Sequence, residues 1–184
     1  MYPNPLTLIR RISAASLFAA LTAAGAYIAV PLPGSPVPLV LQNLFVLASG
    51  MILGPVWGFM SILIYLTVGA LGLPVFSGGS GGLAHLAGPT GGYLLSFPLA
   101  SLITGLISSL RGKIPGKTIM AGAAGALVIY AVGVTWLKIR TGWGWTASLT
   151  AGMLPFLPGD LIKILGAAGI ARAVQPWFTG RRDE

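Results

Sequence analysis

The sequence predicts an all-α integral membrane protein of six transmembrane helices with both termini in the cytoplasm. Three observations carry that prediction. Of 184 residues, 55% are hydrophobic and only 8% charged, against about 25% charged in soluble domains. Apolar stretches near the roughly 20 residues of one crossing recur along the chain, with room for about six. The basic residues punctuate the ends of these stretches and form no stripe, so the net charge of +8 fits membrane flanks better than nucleic acid. No alternation of polar and apolar residues over about 10 positions suggests a membrane β-barrel. With no cysteine and a single histidine, disulfides, thiolate catalysis and Cys-ligated metals are excluded, and no metal site is expected.

The elements follow in order along a single domain, 1–184. After Arg10-Arg11 the first span is expected at about 12–30. A connector with Pro31, Pro33, Pro36 and Pro38 should be extended and stiff, because each proline fixes φ and lacks a donor. Spans two and three, at about 39–53 and 55–73, are separated only by Gly54-Pro55 and should form a tight antiparallel hairpin. The stretch from Phe76 to Gly88 is too glycine-rich for a helix and too apolar for a solvated linker. Spans four and five are expected at about 90–110 and 118–137. A short helix over Thr146–Met153 and a break at Pro155-Phe156-Leu157-Pro158 lead into span six at about 159–174.

This arrangement puts Arg10, Arg11, Arg111, Lys113, Lys117, Arg172, Arg181 and Arg182 inside and only Lys138 and Arg140 outside. Such an excess obeys the positive-inside rule. The Pro-rich connector, the Gly-rich loop and the start of span six then share the outer face. Arg10-Arg11 followed by an apolar run and Ala24-Gly25-Ala26 also fits a cleavable signal peptide, although everything downstream is membrane too.

Three strings bear on chemistry. Gly78-Gly79-Ser80-Gly81-Gly82, with His85 five residues on, formally matches a nucleophile elbow, but no strand precedes it. Gly112-Lys113-Ile114-Pro115-Gly116-Lys117-Thr118 is one residue short of a phosphate-binding P-loop and reads as a cytoplasmic turn, so the chain carries no ATPase motif of its own. The strongest signal is Asp160 with Lys163, three apart on one helical face inside an apolar span. Charges placed there cost about 2.5–3.5 kcal/mol each and mark a solute pathway or a self-neutralising packing pair. A carboxylate near the N-terminus of span six is favoured by the helix dipole, which leaves Lys163 available to a ligand.

Around that pair the sequence supplies Gln42 and Asn43 within a span, aromatic Phe76 and Tyr93, and backbone N–H groups at Gly91 and Gly92 that suit an anion. Phe76 and Tyr93 serve equally well as interfacial anchors. Ala15, Ala19 and Ala23 form a small-residue ridge on span one, suited to internal packing or to an external partner. Residue chemistry alone supports an outward-facing pocket for a small molecule with a polar head.

Four strings carry a resemblance. Pro38-Leu39-Val40-Leu41-Gln42-Asn43, the run from Gly72 to Gly82, Gly88-Pro89-Thr90-Gly91-Gly92-Tyr93 and the run from Pro155 to Lys163 resemble the BioY family, the biotin-binding S components of energy-coupling-factor (ECF) transporters. The resemblance implies capture of biotin from outside and delivery to the cytoplasm of the cell. It implies a transmembrane coupling protein and two ATPases as partners, with ATP used only by them, and the Ala15–Ala19–Ala23 ridge as the surface meeting the coupling protein. Some family members lack dedicated energising partners. Biotin itself is the ligand and no cofactor is expected. Its ureido ring suits Asp160 as acceptor and Lys163 as donor, its apolar parts suit Phe76 and Tyr93, and its carboxylate suits the amides of Gly91 and Gly92 or Lys163. The alternatives are an autonomous transporter of biotin or another small vitamin, an intramembrane hydrolase using Ser80, and a purely structural membrane protein.

Overall fold

A computed structural model describes residues 5–110 and 116–179, with side chains over 8–110 and 116–174. Arg111, Lys113, Arg181, Arg182 and most of the P-loop-like string lie outside these residues. The helices are α1 (Pro5–Tyr27), α2 (Gln42–Ala70), α3 (Leu83–Leu86), α4 (Gly91–Ser108), α5 (Lys117–Thr141), α6 (Trp145–Gly152) and α7 (Leu157–Thr179). Five stretches are long and apolar enough to cross a membrane, namely Leu8–Tyr27, Gln42–Ala70, Gly91–Ser108, Lys117–Thr141 and Trp145–Val174. The protein is a multi-pass membrane protein.

The longest helical run, α2, is two helices folded back on each other. Gly54 inside it has φ 80° and ψ −179°, a backbone state essentially reserved for glycine. A Cβ built on Gly58 would come within 2.8 Å of the Gly50 Cα, whereas eight residues of continuous helix span about 12 Å. Gly54-Pro55 therefore makes the hairpin turn the sequence suggested. Helix α4 fits against that turn, since a Cβ at Gly105 would sit 2.6 Å from the Pro55 Cα. Replacing these small residues would wedge the bundle apart.

The bundle is apolar outside and holds its polar side chains within. Val56, Leu127 and Ile162 are exposed, while Ser49, Ser61, Ser96, Ser101 and Thr104 are completely buried. Lipid satisfies no hydroxyl, so these groups bond internally. Ser49 meets Ser101 at 2.9 Å and Ser61 donates to the Ala15 carbonyl at 2.8 Å. The latter bond corrects one expectation. Ala15 and Ala19 are buried against the rest of the bundle and Ala23 is half-buried, so the ridge packs internally instead of facing a partner.

The connector also differs from the stiff extended segment expected. Strands β1 (Ala29–Val30) and β2 (Leu39–Val40) pair antiparallel, Ala29 opposite Val40, so the prolines occupy a folded hairpin and the fold is not purely helical. Gly34, at φ 79°, permits the turn. Ser35 accepts from the Val37 N–H at 3.0 Å and donates to the Ala151 carbonyl at 2.7 Å, tying the hairpin to α6. In the Gly-rich loop, Gly78 and Gly79 adopt φ 73° and 71° within a 3-10 turn, and the loop continues into α3.

If Gly54 makes the turn by its backbone alone, Gly54→Ala should cost about 1–3 kcal/mol. Gly169→Ala, in an uncrowded and exposed part of α7, should stabilise by about 0.5–1 kcal/mol. Thermal unfolding in detergent measures both, and equal effects of the two changes would contradict the turn.

Candidate functional site

A cavity open to the surface lies between the helices, the Pro-rich connector and the Gly-rich loop. Val37, Pro38 and Val40 of the connector hairpin form one wall. Ser77 and His85 of the Gly-rich loop form another, Thr90 stands just before α4, and Tyr93, Leu94 and Phe97 of α4, Ile129 of α5 and Phe156 make the apolar remainder. Gln42, Asn43, Tyr130, Asp160 and Lys163 supply the polar end.

The break between α6 and α7 builds that end. A 3-10 turn over Leu154–Phe156 redirects the chain, with Pro155 at its start. Pro158 then falls in the first turn of α7, where a missing N–H leaves no bond unmade. Asp160 stands in that same first turn, beside the positive end of the helix dipole.

Both carboxylate oxygens of Asp160 are engaged. Lys163 Nζ lies 2.7 Å from Oδ1, and the Tyr130 hydroxyl donates to Oδ2. Asp160 and Lys163 are each only 6% exposed, so this is a buried and electrically neutral cluster. It still has bonding capacity, because an ammonium carries three donors and a carboxylate accepts at about four sites. Gln42 donates to the Tyr65 hydroxyl from its side-chain amide, while no hydrogen bond engages the Asn43 amide among the described residues. The cavity thus offers hydrogen-bond donors and acceptors beside hydrocarbon walls.

Five of the eight expected ligand residues, Asp160, Lys163, Gln42, Asn43 and Tyr93, line this cavity. The other three do not. Phe76 is fully buried, edge-on to Tyr65 at 5.6 Å, and supports the loop from below. Gly91 donates its N–H to the Gly88 carbonyl at 3.1 Å. Gly92 is glycine because the Trp136 side chain presses on its Cα. The Gly91 amide is therefore engaged, the Gly92 Cα packs against α5, and neither glycine lines the cavity. Trp136 Nε1 secures the junction of α4 with α5 by donating to the Gly88 carbonyl at 2.9 Å.

Tyr93 contributes its ring to the cavity while its hydroxyl donates to the Gly152 carbonyl at 2.8 Å, joining α4 to α6. Sequence reasoning missed Tyr130 and set His85 aside. The signal for Tyr130 was available, since the second oxygen of a buried carboxylate needs a donor and Tyr130 is the sole tyrosine of its span. Ser80 and His85 do meet, at 3.0 Å. However, the Ser80 hydroxyl hydrogen bonds the Ser77 carbonyl at 2.8 Å, so the serine is not donating to the imidazole as an activated nucleophile would.

Fold and cavity together define a multi-pass membrane protein with a binding site for a small, polar-headed solute. The family model described as "BioY family" matches residues 2–180, and the chain belongs to that family. A probable biotin transporter of Pyrococcus horikoshii is 46% identical over 166 residues, covering 90% of this chain and 96% of that protein. A biotin transporter of Thermotoga maritima is 39% identical, covering 89% and 94%. Among solved structures, the S-component for biotin from an ECF-type ABC transporter superposes with a TM-score of 0.87 at 27% identity, covering 95% of each chain.

The neutral cluster yields a prediction. Lys163→Met leaves a buried carboxylate without its cation and should cost about 3–5 kcal/mol. The double variant Asp160→Asn/Lys163→Met should recover most of that loss in thermal unfolding, whereas additive losses would mean the two side chains are not coupled.

Proposed function

We propose that the protein is the biotin-binding membrane subunit of an ECF-type transporter, capturing biotin from the outer face for delivery to the cytoplasm. The carrying observation is the buried Asp160–Lys163–Tyr130 cluster at the end of an apolar cavity, in a chain of the BioY family. Biotin's ureido ring is uncharged and presents two N–H donors beside a carbonyl acceptor. A neutral cluster with lone pairs on Asp160 and Tyr130 and spare donors on Lys163 matches it without leaving net charge in the membrane. The sulfur ring and methylene chain suit the walls formed by Tyr93, Phe97, Ile129 and Phe156.

The hairpin at Gly54 divides Gln42–Ala70 into two limbs. With it, the chain crosses the plasma membrane six times, with both termini in the cytoplasm. The basic residues between and beyond the spans support that orientation. A transmembrane coupling protein and two ATPase subunits supply the energy, and ATP is bound only there. The buried alanines of α1 leave Ser13, Ser16, Ala20 and Ala24 as the small residues on its exposed side.

Biotin titrated into the purified protein should saturate at one per chain in tryptophan fluorescence. Asp160→Asn and Lys163→Ala should each weaken binding about tenfold to about a hundredfold, the worth of a charge-assisted hydrogen bond. Undiminished affinity in both variants would remove the cluster from the site. The cysteine-free chain also permits a clean topology test. Gly34→Cys and Gly144→Cys should react with an impermeant maleimide on intact cells, and Lys117→Cys only after permeabilisation. Any other pattern contradicts the orientation.

A further inference from the structure

Among the described residues, His85 is the one ionisable side chain in the cavity lining apart from the Asp160–Lys163 pair and the tyrosines. Its ring stacks on Phe76 with centroids 5.4 Å apart. Its Nδ1 lies 3.0 Å from Ser80 Oγ, and Ser80 directs its single hydroxyl hydrogen to the Ser77 carbonyl at 2.8 Å. A serine already donating elsewhere can only accept from the imidazole, so Nδ1 carries the hydrogen. No protein hydrogen bond engages Nε2 among the described residues. Every change of protonation therefore occurs at Nε2 and breaks no bond within the loop.

Biotin brings one net negative charge, on its valerate carboxylate. A neutral ureido ring matches the neutral cluster, and Lys163 is already paired with Asp160. Lys138 stands over the Trp145 ring at 5.2 Å, and neither it nor Arg140 lines the cavity. Among the described residues that line the cavity, the carboxylate then has a single group left that can become cationic.

We propose that His85 is the contact for the ligand carboxylate, its Nε2 taking a proton from solvent as the anion binds and donating the resulting N–H to it. This rests on the biotin reading above. Burial holds the His85 imidazole below its ordinary value, which keeps it neutral in the empty site near pH 7, and the bound anion favours the charged form. The gain in affinity is thus complete below the imidazole's value in the empty protein. It is lost as pH rises through its higher value in the complex. The other titratable groups facing this region are Asp160 and Lys163, closed on each other, and the phenols of Tyr27, Tyr65, Tyr93 and Tyr130. Phenols are neutral from about pH 5.5 to about pH 8, and an ordinary carboxylic acid is ionised throughout that range.

The test compares biotin with its uncharged primary amide on the full-length protein at about pH 5.5 and about pH 8. Biotin should bind about tenfold more tightly at the lower pH, the amide with no pH dependence, and His85→Gln should flatten the response to biotin. Calorimetry of the wild type in two buffers of different ionisation enthalpy should show net proton uptake with biotin and none with the amide, a readout that needs no variant. Equal pH dependence for both ligands, or biotin binding without proton uptake, overturns the assignment of His85. Loss of binding for both ligands in folded wild type overturns the biotin reading and this proposal with it.

Discussion

A carboxylate and an ammonium buried in an apolar bundle form the interaction on which the rest of the site depends. Each would be costly alone, so Asp160 and Lys163 must meet at 2.7 Å and the second oxygen must find Tyr130. That requirement fixes the start of α7 against α5. It explains the 3-10 turn and the prolines before Asp160, which place the acid in a first helical turn where the dipole assists it. The outcome is a buried polar cluster without net charge, which under the proposed function suits an uncharged hydrogen-bonding head.

The surrounding bundle holds this geometry by close backbone approach instead of by large side chains. Gly50 and Gly58 bring the two limbs of α2 together, and Gly105 seats α4 on the Gly54-Pro55 turn. Buried Ser49, Ser61 and Ser101 lie within these contacts and bond internally. Where no aqueous hydrophobic effect drives helices together, such packing and bonding supply the association. The loop segments that line the cavity are held by Ser35 bonding to α6, by Phe76 packing on Tyr65 and by Trp136 at the head of α4.

Much of this was legible in the sequence, and the limits have physical causes. Length and hydropathy located the helices, and Gly54-Pro55 announced the hairpin. Asp160 and Lys163 stood out because charge inside a span is so unfavourable. The connector was misjudged because four prolines suggested a rod, whereas Gly34 lets the chain reverse and pair Ala29 with Val40. Gly91 and Gly92 looked like free donors facing a ligand, but the Gly91 amide bonds the Gly88 carbonyl and Gly92 packs on Trp136, contacts that no one-dimensional spacing reveals. The alanine ridge had two uses on paper, and only the position of Ser61 decided for the internal one. Tyr130 joins the site from a helix 30 residues away, a pairing visible only by asking what satisfies both carboxylate oxygens.

Selection of a neutral ureido head is the central claim, and a comparison of two biotin analogues on the wild-type protein tests it most directly. One, dethiobiotin, keeps the ureido group and loses the sulfur; the other is the diamine left when the ureido carbonyl is removed. The account predicts saturable binding of dethiobiotin and a loss of at least about a hundredfold for the diamine, which has no acceptor for Lys163 and adds charge to a neutral cluster. Comparable affinities for the two would contradict it.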